Sequence, residues 1–181
     1  MFIYIIIASV FLIILFILIE REKCIQIDNL NIKIKEALLE IKILLEKKMD
    51  LLSKLSKKTN ELCNTKAPNE ISKIKNKKLE IFELEEKLYE LKAELIETIE
   101  DNNLEFKDED KNLIKLLNNN DLEIKALKLY YNKEAYEYNS TITKFKYFIT
   151  RLFKKCKKLE TFVIKKEIEF EILKQTENDN R

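Results

Sequence analysis

The side chains of this chain that could transfer protons or bind metals are carboxylates, amines and thiols, because histidine is absent. Its 181 residues include 34 Lys and Arg and 32 Asp and Glu, but no His, no Gly and a single Pro. Glu and Lys can transfer protons, but the commonest general base is missing. Turns that need a positive φ to bind phosphate or present a nucleophile lack their usual glycine. The charged residues are spread evenly, as on solvated helices, so the sequence predicts that the protein is not an enzyme and uses no cofactor.

The thiols and the net charge also argue against two kinds of site. Cys24, Cys63 and Cys156 lie far apart and form no C-x-x-C pair. Scattered cysteines in an odd number indicate free thiols in a reducing compartment, and predict neither a disulfide framework nor a metal centre. The formal net charge is only +2, so nucleic acid is not an expected partner. The basic run 154–158 is interpreted as a solvated helix end, with a lipid or nucleic-acid patch as the alternative.

The N-terminal stretch is a candidate membrane anchor. Residues 2–19 contain no charged side chain, and only Tyr4 and Ser9 carry polar groups. As a helix they would be about 27 Å long, close to the hydrocarbon thickness of a bilayer. No basic residue precedes them, and charged residues 20–23 follow where a secretory signal would have small residues. The sequence therefore predicts an uncleaved single-pass anchor, with the lipid bilayer as partner of residues 2–19.

The basic residues on either side of the anchor predict its orientation. None precedes it, whereas Arg21, Lys23, Lys33 and Lys35 follow it. Because basic residues are enriched on the cytoplasmic side of membrane helices, we expect a cell-membrane protein with a short N-terminus outside. The remainder of the chain is expected in the cytoplasm.

The remainder has the periodicity of amphipathic helices. After a juxtamembrane segment at 20–27, apolar residues recur in alternating steps of three and four, and no segment alternates with a period of two. The apolar stripes are wide, which favours a monomeric bundle over a two-stranded coiled coil. Pro68 and the polar residues 101–103 are the expected breaks.

The sequence therefore predicts an all-α fold: an N-terminal transmembrane helix followed by an up-and-down antiparallel bundle of three long helices and a shorter fourth. The bundle domain is expected at 28–176, and the C-terminal tail is expected to be disordered. The expected boundaries are about 28–62, 68–100, 108–148 and 159–174 for the helices, and 177–181 for the tail.

The third predicted helix carries a repeated motif, Tyr131-Asn132-x-x-Ala135-x-x-Tyr138-Asn139-x-x-Ile142-x-x-Phe145. This motif resembles the tyrosine–asparagine repeat of the LemA family of bacterial membrane proteins. Arg151-Leu152-Phe153, Phe162 and the upstream Lys47-Lys48-x-Asp50 resemble further parts of that family's pattern. The resemblance covers most of residues 1–162 and implies a membrane-anchored antiparallel helical bundle without a known cofactor. The family has Pro-Asn where this chain has Ser53-Lys54 and Pro where it has Lys146, so a straighter first helix and a third helix that continues past 146 are expected.

The tyrosine–asparagine pairs have two interpretations. The tyrosines could pack in the core while the asparagines hydrogen-bond across a helix interface. Alternatively, Tyr130, Tyr131, Tyr136 and Tyr138 could line a groove for a peptide or a lipid headgroup. Spacing on one helical face favours the core interpretation and places Phe145 on the same buried face. A more specific hypothesis is that Lys47, Lys48 and Asp50 contact Asn132 and Asn139.

Two classes of function remain open. The first is a LemA-like adaptor or accessory protein for other membrane proteins, with an unidentified protein partner. The second is a membrane-anchored dimeric coiled coil in a bacterial division or secretion complex. The breaks near 64–69 and 101–107 favour the first, because they would interrupt a continuous coiled coil.

Overall fold

The protein is all-helical in the ranges that the computed structural model describes, which are residues 1–63, 79–102, 104 and 108–163 with the single residues 71, 74 and 77. The continuous ranges contain four α-helices, the single residues Ile71 and Ile74 are also helical, and no described residue is in a strand. This confirms the prediction of an all-α fold with a long N-terminal apolar helix followed by further helices. The helices are α1 (Phe2–Cys63), α2 (Ile81–Asp101), α3 (Asp108–Thr143) and α4 (Phe148–Lys154), with a 3₁₀ turn at Phe145–Tyr147.

Helix α1 continues without interruption from the apolar N-terminus into the bundle. Its 62 residues make a rod about 93 Å long. Residues 20–27, expected as a separate segment, belong to this helix because they contain neither Gly nor Pro to end it. Almost every side chain from Phe2 to Ile19 is exposed, whereas from Ile27 onward α1 has a buried face.

The core lies between α1, α2 and α3. Its buried members on α1 recur at helical spacing, so one stripe of that helix faces the other two. The buried apolar residues on α1 are Ile27, Leu30, Ile34, Ala37, Ile41, Leu45, Leu51, Leu52 and Leu55. Those on α2 and α3 are Leu88, Leu91, Leu95, Leu117, Ile124, Tyr131, Ala135, Tyr138 and Ile142.

The contacts between the helices give their relative directions. Helix α3 is antiparallel to α1, since Lys33 pairs with Glu134 and Lys48 pairs with Asp121. It is also antiparallel to α2, since Phe82 packs on Tyr131 while Lys92 pairs with Asp121. Helices α1 and α2 therefore run parallel, and the chain between them, 64–78, lies largely outside the described residues.

Helix α2 begins later than the sequence predicted. The sequence placed a helix at about 68–100, directly after Pro68, but α2 begins at Ile81 after Glu80 in an extended conformation (φ −67°, ψ 152°). No Gly or Pro marks this break, and Glu80 provides no side-chain cap. Of the predicted stretch 68–78 the structure describes residues 71, 74 and 77, and Ile71 and Ile74 are helical.

The end of α3 is a second correction. It was expected to continue to about 148, but it ends at Thr143, because Lys144 adopts an extended conformation (φ −68°, ψ 138°). Phe145 consequently leaves the buried face and is 94% exposed. The fourth helix expected at 159–174 is not formed by residues 159–163, which are non-helical. Positions 164–174 and the tail 177–181 lie outside the described residues.

Asn120 is the polar residue that interrupts the apolar face of α3. It is fully buried and donates from Nδ2 to the Leu44 carbonyl on α1 (3.1 Å). Its Oδ1 has no hydrogen-bond partner among the described residues. A half-satisfied buried amide costs stability, but it can fix the register of two helices.

Candidate functional site on the tyrosine–asparagine face of α3

Asn132 and Asn139 hold an extended segment of the same chain by its backbone. Asn139 donates from Nδ2 to the Leu159 carbonyl (2.9 Å) and accepts from the Leu159 N–H at Oδ1 (2.8 Å). Asn132 makes the same two bonds with Phe162, both 2.8 Å long. Each side-chain amide therefore pairs with both backbone groups of one residue, as a neighbouring β-strand would.

The spacing of the two asparagines matches the spacing of their targets. Seven residues of α-helix rise about 10.5 Å. From Leu159 to Phe162 is three residues, which span about 10 Å in an extended chain. The two asparagines of the seven-residue repeat therefore pair with two residues of the segment that are three positions apart, and we call these four hydrogen bonds the asparagine ladder. The segment runs antiparallel to α3.

Tyr131 and Phe162 fix the same segment through apolar contacts. The Phe162 ring is buried and packs against Phe82 on α2 (centroids 4.3 Å apart) and Tyr131 on α3 (5.1 Å). The Tyr131 hydroxyl donates to the Glu160 carbonyl (2.8 Å). Lys128 lies 5.5 Å from the centre of the Phe162 ring and pairs with Glu85 at 2.7 Å. These contacts form an aromatic pocket next to the asparagine ladder.

The core interpretation of the tyrosines agrees with their burial. Tyr131 and Tyr138 are buried, whereas Tyr130 and Tyr136 are exposed. The four tyrosines therefore do not line one groove. The asparagines do hydrogen-bond across an interface, but their partner is an extended segment and not a helix.

Burial raises the pKa of both core tyrosines. The pKa of Tyr131 is raised by desolvation and, secondarily, by the charge of Glu160. Desolvation, followed by the hydrogen bond with the Cys156 thiol, raises the pKa of Tyr138 to about 12. A hydrogen bond from Asn31 opposes this shift in part.

Tyr138 is expected to make the fold sensitive to alkaline pH. The unfolded chain releases this proton near pH 10, whereas the folded chain keeps it to about pH 12. The stabilising effect is complete below about pH 10 and is lost as the pH rises to about 12, by up to about 1.4 kcal/mol per pH unit. Thermal unfolding of the full chain in micelles, followed by circular dichroism at pH 8 and 11, measures this loss of stability. Tyr138→Phe should lose less stability between these pH values than the unchanged protein, and an equal loss would contradict the assignment.

A buried ion cluster joins the three long helices. The Asp121 carboxylate on α3 lies 2.8 Å from Lys48 Nζ on α1 and 2.8 Å from Lys92 Nζ on α2. The Lys48 side chain is only 5% exposed, and Asn118 accepts a further bond from Lys92 (2.9 Å). Because each helix contributes one charge, the cluster fixes the relative heights of all three.

The structure does not have the predicted contact between the first and third helices, in which Lys47, Lys48 and Asp50 would touch Asn132 and Asn139. Lys48 pairs with Asp121, which lies eleven residues, about 16 Å, from Asn132 along α3. The two asparagine amides are occupied by the extended segment.

The other two α1 residues of that hypothesis lie at the surface. Lys47 is 3.8 Å from Glu123 in an exposed pair, and Asp50 is exposed. Sequence reasoning identified Lys48 but not its partners Asp121 and Lys92. The signal for Lys48 was its place in the Lys47-Lys48-x-Asp50 stretch that resembles the LemA pattern.

The tyrosine–asparagine face of α3 holds a segment of the same chain through hydrogen bonds to its backbone. No cluster of three or more His, Cys, Asp or Glu suited to a metal ion occurs among the described residues. Cys24 and Cys156 are free thiols, as the sequence predicted. The side chain of Cys63 lies outside the described set.

Comparison with known protein families, with curated proteins and with solved structures gave no significant match.

Proposed function

We propose that this chain is a LemA-like, non-enzymatic adaptor, a helical bundle anchored in the cell membrane that serves other membrane proteins. One observation carries the proposal. Among the described residues, a single stretch is long and apolar enough to cross a bilayer, and its helix, α1, continues into the bundle. A continuous helix holds the bundle at a fixed distance from the membrane. The tyrosine–asparagine face supports an adaptor role, because its side chains bind the main chain of an extended segment.

Charged residues placed in the anchor test the membrane anchoring on which this function rests. Ile7→Lys with Phe11→Lys should release the protein from membranes washed with alkaline carbonate, since each lysine near the centre of a transmembrane helix costs about 3 kcal/mol. Ile32→Lys with Leu39→Lys is the matched control, because both residues are exposed on α1 outside the anchor. The control should remain in the membrane. Equal retention of both variants would contradict anchoring by residues 2–19.

The proposed orientation places the bundle in the cytoplasm. Arg21 and Lys23 follow the anchor, and the free thiols Cys24 and Cys156 suit a reducing compartment. In a background without the native cysteines, Lys157→Cys is exposed and can report its compartment. A membrane-impermeant thiol reagent should label it only after the cells are permeabilised. Labelling in intact cells would reverse the orientation.

The dimeric coiled coil is less favoured. Its interface would need the apolar stripe of α1, but α2 and α3 of the same chain cover that stripe, including Ile41 and Leu45. Light scattering of the full chain in detergent, corrected for the micelle, should give the mass of one chain. A mass of two chains would favour the coiled coil.

A further inference from the structure

The turn between α3 and α4 exposes a group of large apolar side chains. We refer to residues 144–155 as the collar. Phe145 is 94% exposed and Phe153 is 84% exposed, and neither belongs to the core. The exposed apolar members of the collar are Phe145, Phe148, Ile149, Leu152 and Phe153. Five such residues within nine positions form a surface that water solvates poorly.

The collar lies beside the end of the membrane anchor. Thr150 Oγ1 donates to Glu20 (2.7 Å), and Glu20 is the first charged residue after the apolar run. The Tyr147 hydroxyl bonds Gln26, and Lys154 bonds Asp28. Thr150 in α4 is therefore level with the point where α1 leaves the apolar stretch. Tyr147 and Lys154 lie beside positions about 9 and 12 Å farther along α1.

The collar and the residues after it are basic. From 144 to 158 the sequence has no acidic residue. The basic residues in this range are Lys144, Lys146, Arg151, Lys154, Lys155, Lys157 and Lys158. Lys146 and Arg151 lie over the rings of Tyr147 and Phe148 (5.3 and 5.7 Å from the ring centres). Aromatic and basic side chains in alternation are typical of segments that lie in the interface of an acidic membrane.

We propose that the collar binds the surface of the same bilayer that holds the anchor. Phe145, Phe148, Leu152 and Phe153 enter the boundary between headgroups and acyl chains, and the lysines bind the phosphates of acidic lipids. This inference rests on the proposed membrane anchoring. The lipid surface is the occupant that the structure favours, because the exposed patch is continuous with the anchor and its charge complements acidic lipids.

The consequence is a bundle fixed at two points on the membrane. A single transmembrane helix leaves the attached domain free to tilt, whereas a second contact restricts its tilt. The collar is attached to α1 through Glu20, Gln26 and Asp28, so its insertion would hold α1 at one angle.

Single tryptophans test the collar, because the chain has none of its own. Three variants of the full chain are placed in phosphatidylcholine–phosphatidylglycerol vesicles that contain brominated lipids: Phe153→Trp in the collar, Leu12→Trp in the anchor and Leu116→Trp as the control. Leu116 is exposed near the level of Leu44 and thus about 40 Å from the anchor end. Phe145→Trp repeats the collar measurement at a second exposed position.

The expected result is strong quenching of the collar tryptophan by bromines near the headgroups, at least about threefold more than for Leu116→Trp. Leu12→Trp should be quenched best by bromines deep in the bilayer. If Leu12→Trp is quenched but both collar variants behave as the control does, the collar proposal fails while anchoring stands. If Leu12→Trp is not quenched, anchoring and the collar proposal both fail.

The lysines are tested in the same assay. Lys144→Gln, Lys146→Gln and Lys155→Gln together should reduce quenching of the collar tryptophan in vesicles with phosphatidylglycerol. The same changes should have little effect in pure phosphatidylcholine. An equal effect in both vesicles, or none in either, would overturn the role of acidic lipids.

Discussion

Replacing Asp121 with alanine is expected to lower the free energy of unfolding by about 3–5 kcal/mol, because it leaves the buried Lys48 amine without its carboxylate. Lys92 loses the same partner but retains its bond to Asn118. Chemical unfolding of the full chain in detergent micelles, followed by circular dichroism, measures the change. Asp121→Asn should be nearly as destabilising, since the amide fills the site without neutralising the two lysines.

Two matched variants separate this cluster from ordinary surface charges. Glu123→Ala removes the exposed partner of Lys47 and should change stability by less than about 0.5 kcal/mol. Lys48→Met removes the buried charge and leaves Asp121 paired with Lys92, so its cost should stay below about 2 kcal/mol. Similar losses for Asp121→Ala and Glu123→Ala would show that the cluster is not buried as the structure has it.

Replacing Asn132 and Asn139 together with alanine is expected to release the extended segment from α3. The change removes four hydrogen bonds to Leu159 and Phe162, worth about 2–4 kcal/mol in total. Without these four bonds, the Phe162 ring contacts and the Tyr131–Glu160 hydrogen bond remain to hold the segment. Hydrogen exchange at the amides of Leu159 and Phe162 should become much faster, and trypsin should cleave after Lys157 or Lys158.

Asn119→Ala is the control, since Asn119 lies on the same helix but is exposed. It should leave exchange at Leu159 and Phe162 unchanged. Asn139→Asp keeps the acceptor for the Leu159 N–H but turns a carboxylate oxygen toward the Leu159 carbonyl. It should therefore release the Leu159 end alone. Slow exchange at both amides in the double alanine variant would mean that the aromatic pocket alone holds the segment.

The helices were predictable because their signal is local and repeated. The apolar spacing predicted a buried stripe on α1, and the uncharged run predicted the stretch that is long and apolar enough to cross a membrane. The breaks after Thr143 and before Ile81 were not predictable, since no Gly or Pro marks either one. After Thr143 the chain forms tertiary contacts instead, from Tyr147 to Gln26 and from Thr150 to Glu20.

The candidate site was predictable in its members but not in its geometry. The repeat identified Tyr131, Asn132, Tyr138 and Asn139, and helical spacing put the tyrosines in the core. The spacing of the motif cannot show that an extended segment packs against α3. The register of that segment depends on a match between seven residues of helix and three residues of extended chain. The sequence placed the start of a helix at about 159, whereas residues 159–163 are non-helical and are bonded to the amides of α3.

The distance between two spin labels on α1 tests most directly whether one continuous helix joins the bilayer to the bundle. The labels are placed at Ile7 and Leu39, both exposed, after the native cysteines are replaced, and the protein is held in lipid nanodiscs. The 32 residues between them predict a narrow distribution centred near about 48 Å. Protein labelled at Leu39 alone should give no distance between chains. A broad or much shorter distribution would contradict a continuous helix, and a distance between singly labelled chains would contradict the monomeric bundle.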